Sequence, residues 1–87
     1  MDSDSLITYP SDFPIKIMGP SQPQFIETIV ALVQRHAPDF DPGTLECRES
    51  SAGNYMAITC TIRATSRKQL DNLYRELSAH PMVKVVL

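Results

Sequence analysis

From Tyr55 the chain alternates: Met56, Ile58, Cys60, Ile62 and Ala64 fall on one side, and Tyr55, Ala57, Thr59, Thr61 and Arg63 on the other. A period of two marks a half-buried strand, with the first set facing a core and the second facing outward. The same period runs through FPIKIM, where Phe13, Ile15 and Ile17 oppose Lys16 and Met18. Pro14 has no N–H to donate, so regular pairing is expected after it. A further strand is predicted over Thr44 to Ser50, with Leu45 and Cys47 against Glu46 and Arg48, and a last one in MVKVVL.

Between these strands the period changes. In GPSQPQ, Ser21 and Gln24 have capping-box spacing, and Pro23 is tolerated only in a first helical turn. Phe25, Ile26, Ile29, Val30 and Val33 then recur at three and four residues as one apolar stripe until His36, Ala37 and Pro38 end it. Ser66 and Gln69 predict the cap of a second helix with the stripe Leu70, Leu73, Tyr74 and Leu77, ending near His80 and Pro81. Residues 1–12, acidic and small with no sustained period, read as a flexible N-terminal arm that Leu6, Ile7 and Tyr9 could dock.

The resulting order over residues 13–87 is strand, helix, strand, strand, helix, strand. Two βαβ crossovers and one hairpin give an α+β, ferredoxin-like βαββαβ sandwich: a four-stranded antiparallel sheet with both helices on one face. The other sheet face must meet water, a ligand or another chain. Gly53 supplies the backbone angles that a tight hairpin between the middle strands needs. The simplest register sets Cys47 opposite Met56, Leu45 opposite Ile58 and Arg48 opposite Tyr55, with Arg48 and Tyr55 in a cation–π contact and the two cysteines unpaired.

Size and charge narrow the function. Eighty-seven residues make one small domain, and the hydrophobic share of 43% and charged share of 21% are ordinary for a globular chain. Eight basic against ten acidic residues give a net charge of −2, without the positive field on which non-specific nucleic-acid binding relies. No apolar run is long enough to span a membrane, and MDSDSL is acidic where a secretory signal is basic, so a cytoplasmic protein is expected, its two cysteines buried thiols rather than a disulfide.

Catalytic motifs are hard to place. A soft-metal carrier needs neighbouring thiols, whereas Cys47 and Cys60 lie on different strands; an acyl-phosphate hydrolase of this shape needs an arginine just after the first strand, which GPSQPQ lacks. His36 and His80 sit at helix ends and read as caps. An RNA-recognition module would stack bases on aromatics of the first and third strands, yet the outward residues of the first are Lys16 and Met18. No metal, cofactor or catalytic group is expected. Gly19 precedes a helix N-terminus, where backbone N–H groups can hold an anion, and reads equally as a turn glycine. Tyr55 reads as a hairpin aromatic or as an interface anchor.

The segments KIMG, VQRHAP, SSAGNY, RAT, NLYREL and VKVVL, in that order and spacing, make the chain similar to the YbeD family of small bacterial proteins. The resemblance implies a fold close to the ACT regulatory domains, which bind small ligands at dimer interfaces with a glycine after the first strand beside the ligand, the place of Gly19 here. It also implies a link to lipoate attachment. This chain has Ala52 where family members often carry a lysine.

The sequence therefore leads to a non-enzymatic regulatory or adaptor module acting in trans. Its expected partner is a small carboxylate-bearing ligand or a partner enzyme, and a homodimer through the sheet is expected; RNA binding is the alternative. The candidate surface comprises Lys16, Tyr55, Thr59, Thr61, Arg63 and Lys84 on the open face, with the Gly19 turn.

Overall fold

The computed structural model describes residues 8–87. The elements are β1 (Ser11–Pro20), α1 (Pro23–His36), a short 3₁₀ turn (Pro42–Thr44), β2 (Glu46–Glu49), β3 (Tyr55–Ala64), α2 (Arg67–Ala79) and β4 (Val85–Val86). The sheet order is β2-β3-β1-β4, with every neighbouring pair antiparallel. This is the ferredoxin-like βαββαβ arrangement that the alternating periods predict. Residues 1–7 of the expected arm lie outside the described residues. Ser11 and Asp12, placed in that arm by the sequence, instead extend β1 and pair with Ala64 and Arg63, and Tyr9 packs against the core.

The core lies between the sheet and the helices. Ile15, Ile17, Ile58, Cys60 and Ile62 enter it from β1 and β3, and Phe25, Ile29, Leu32, Val33, Leu70, Leu73 and Leu77 from the helices; all are buried. Leu32 and Phe40, which closes the core after α1, are additions to the expected set. Tyr74 meets Phe13 edge-on at 6.5 Å and its hydroxyl donates to the Leu87 carbonyl, tying α2 to the chain end.

One cap is as expected and one is not. Ser66 Oγ accepts the Gln69 N–H, while the Gln69 side chain accepts from Thr65 N–H and donates to the His36 carbonyl, so a single glutamine caps α2 and holds the end of α1. At α1 the N-cap is Gln22, without a side-chain bond, and Pro23 opens the helix. The expected Ser21 and Gln24 box does not form because the Ser21 hydroxyl donates to Glu49 across the fold at 2.9 Å.

The hairpin keeps the expected faces but not the expected offset. Cys47 stands opposite Ile58 and Arg48 opposite Ala57, two residues along from the simplest pairing. The loop sets this: Gly53 takes φ of 74° and Ser50 N–H donates to the Tyr55 carbonyl, which fixes Ser50 rather than Arg48 against Tyr55. The Arg48–Tyr55 contact expected from the sequence is therefore replaced. The cysteines are unpaired, as expected, and Cys60 is buried; Cys47, expected to be buried as well, is exposed because β2 is an edge strand.

The helices are also joined at the surface. Glu76 of α2 accepts from both Arg35 and His36 at the end of α1, with His36 Nε2 at 2.9 Å. The His36 hydrogen bond, helped by the Arg35 charge, holds the Glu76 carboxyl below its ordinary value of 4.5. A carboxylate whose pKa falls on folding adds stability above its unfolded pKa and loses it as pH falls through the folded one. As pH falls through and below 4.5, wild-type stability should therefore drop more than that of Glu76→Gln, as urea unfolding over an acid pH series would show. Equal acid losses would mean that this bridge is idle in solution.

Candidate functional site: the open sheet face

The alternation that buries Ile15, Ile17, Ile58 and Cys60 sends their neighbours to the uncovered side. The register arranges these neighbours in rows across the strands. One row runs Arg48, Ala57, Met18, Val85 from β2 to β4. The next runs Glu46, Thr59, Lys16, with Leu87 exchanging two backbone hydrogen bonds with Lys16 at its end. Beyond these, Thr61 faces Pro14 and Arg63 faces Asp12, and at the other end of the sheet Tyr55 faces Pro20.

Of the expected site residues, the structure brings Lys16, Tyr55, Thr59, Thr61 and Arg63 onto this face. Arg63 does so directly across from an acid, Asp12. Lys84 precedes β4, its N–H donating to the Met18 carbonyl, and the position paired with Met18 belongs to Val85. Gly19 lies on the helix side and is buried. A Cβ there would come within 2.4 Å of the Phe25 ring and 2.6 Å of the Met82 carbonyl oxygen, so this glycine makes room for core packing.

The apolar content of the face was missed in the sequence. Among the described residues, Tyr55, Val85 and Leu87 are the exposed large hydrophobic residues, at 50%, 43% and 66%. With half-buried Met18 and Ala57 they make a diagonal apolar band over β3, β1 and β4. Met18 and Tyr55 were readable as outward from their strands. Val85 and Leu87 were not, because VKVVL holds apolar residues at both parities and only the pairing with β1 decides which are outside.

A shallow depression of about 300 Å³ beside the band is lined by Lys16, Glu46, Cys47, Arg48, Ala57 and Thr59, and a smaller one of about 150 Å³ lies between Met18, Arg48 and Tyr55. Two cations, one acid and a hydroxyl line the larger, a set that can hold a carboxylate by charge-assisted hydrogen bonds. The histidines lie elsewhere: His36 engages Glu76, and His80 Nδ1 accepts the Met82 N–H. Among the described residues no group of three or more His, Cys, Asp or Glu could hold a metal ion, and no helix is long and apolar enough to cross a membrane. Burial pushes the Cys60 thiol up to about 11, while Cys47 is exposed. Native protein should thus titrate one thiol rapidly with a disulfide reagent at neutral pH and the second only in denaturant. Two fast thiols in native protein would contradict the placement of Cys60.

Comparison with known proteins places the whole chain. The family model described as "Protein of unknown function (DUF493)" matches residues 4–87. A UPF0250 protein of Janthinobacterium sp. (strain Marseille) is 62% identical over 85 residues, 98% of this chain and 93% of its own. The chain belongs to the DUF493/UPF0250 family. A second UPF0250 protein, from Ralstonia nicotianae, is 64% identical over 84 residues, covering 97% of this chain and 87% of that one. This is the group of small bacterial proteins to which the sequence resemblance pointed. Among solved structures, this UPF0250 chain is similar to protein HP0495 from H. pylori, with a TM-score of 0.73 at 14% identity over 100% of this chain and 94% of that one. It is also similar to the C-terminal domain of the MgtC protein from Mycobacterium tuberculosis, with a TM-score of 0.61 at 14% identity over 100% and 88%. At such identity the likenesses show the fold.

Proposed function

We propose that this UPF0250 protein is a non-enzymatic regulatory or adaptor module, acting in trans, whose open sheet face docks on a partner protein. The observation that supports this most is the exposed apolar band of Tyr55, Ala57, Met18, Val85 and Leu87, in a domain whose core lies on the opposite side of the sheet. Burying such side chains contributes about 25 cal/mol per Å², and a ring of charges around them supplies orientation. Lys16 and Arg48 flank the band, so a partner with acidic residues around an apolar centre suits it. Because the resemblance implies a link to lipoate attachment, an enzyme of that process is the first partner to assay.

A specific observation favours one further reading. The depression between Lys16 and Arg48, with the Thr59 hydroxyl, suits a small carboxylate-bearing ligand, whose arrival would alter the docking surface. RNA binding draws no such support, since among the paired open-face positions of β1 and β3 Tyr55 is the one aromatic, at the end of its strand.

Val85→Asp and Tyr55→Ala should abolish retention of a partner that wild-type protein holds. Ser78→Asp, at an exposed position of α2, should leave it intact. If retention survives both open-face substitutions and fails for Ser78→Asp, docking is on the helix side and the proposal is wrong.

A further inference from the structure

The outer edge of the sheet carries a self-complementary pattern. β2 is a terminal strand in the sheet order and all four of its residues are exposed. Bonded and non-bonded pairs alternate along an antiparallel ladder. Ser50 N–H donates to the Tyr55 carbonyl, so Arg48 with Ala57 and Glu46 with Thr59 are bonded pairs, and Cys47 with Ile58 and Glu49 with Met56 are not. The peptide groups of Cys47 and Glu49 therefore face away from β3, toward the edge. An edge with outward N–H and C=O groups is a template for another strand.

We infer that a second copy of this chain pairs with β2 about a two-fold axis at Cys47, joining two sheets into one of eight strands. The charges select this register. With the axis at Cys47, each Glu46 faces the partner's Arg48 and each Arg48 the partner's Glu46. These fall at non-bonded positions, where side chains approach most closely. Moving the axis to Glu46, Arg48 or Glu49 would set that charged residue against its own copy. Cys47 itself would form the bonded pair at the axis, with its outward peptide groups satisfied. The next bonded position sets Glu49 against the partner's Leu45. The Leu45 N–H already donates to Pro42, leaving its carbonyl for the Glu49 N–H.

The joined sheet keeps both pairs of helices on one side and both open faces on the other. The depression lined by Lys16, Glu46 and Arg48 then abuts the two-fold, and the partner's Arg48 and Glu46 complete its outer wall. This assembly does not depend on what docks on the open face, and it offsets the small core of a chain of 87 residues.

The test uses purified full-length protein, sedimentation equilibrium and a short bis-maleimide. Wild-type protein should dimerise at high micromolar concentration and crosslink through Cys47, because Cys60 is buried. Cys47→Ser should lose the crosslink and keep the sedimentation dimer. Glu46→Arg alone and Arg48→Glu alone each place like charges across both symmetric contacts and should weaken dimerisation about tenfold. Mixing these two single variants restores opposite charges at every contact, so a heterodimer should form where neither variant pairs with itself. The inference is overturned if wild-type protein stays monomeric, if either single variant dimerises as well as wild type, or if the mixture pairs no better than its components.

Discussion

Gly19→Ala is expected to destabilise the fold by about 1 to 3 kcal/mol or more, and Gly19→Val to prevent native packing. The new Cβ would stand 2.4 Å from Phe25 Cζ and 2.6 Å from the Met82 carbonyl oxygen. Neither neighbour yields readily: Phe25 is fully buried as the first core residue of α1, and Met82 opposes the new atom with backbone. Gly19 itself is held opposite Met56 near the end of the β1–β3 ladder, so it cannot retreat without breaking that pairing. Urea unfolding of Gly19→Ala would measure the cost. A midpoint equal to that of wild type would mean that the Phe25 ring does not rest on this residue. The glycine that the sequence offered as a ligand-side turn is thus a packing residue.

Ile58→Ala should cost about 2 to 5 kcal/mol, because a fully buried side chain is removed from the middle of β3 and leaves a cavity. Its neighbour Thr59 lies half-buried on the open face opposite Lys16, and Thr59→Ala should cost less than about 1 kcal/mol. In a domain of this size the first loss is a large share of total stability. Matching urea midpoints for the two variants would show the faces of β3 to be reversed.

The faces were legible because parity is local: Met56, Ile58, Cys60 and Ile62 declare their side within one strand. Offset is not local. The same parity of Leu45 and Cys47 fits pairings two residues apart, and the Ser51 to Asn54 loop, closed by Ser50 and Tyr55, chose between them. The α1 cap failed for a similar reason, since Ser21 met a partner 28 residues away that spacing cannot reveal. Ser66 capped as expected because its partner, Gln69, is three residues on. The candidate site divided in the same way. Lys16, Thr59, Thr61 and Arg63 follow from strand parity. Val85 and Leu87, and the opposition of Arg63 by Asp12, follow from pairing between strands distant in sequence.

The central claim is that the uncovered face of the sheet is where this protein meets its partner. Backbone amide chemical shifts of isotope-labelled protein, followed as a co-purifying partner is added, test it most directly. Docking on the open face predicts shifts concentrated at Lys16, Met18, Ala57, Thr59 and Val85, with the exposed helix positions Gln24, Glu27, Asp71 and Arg75 unmoved. Shifts concentrated at those helix positions, with the open-face amides still, would contradict it.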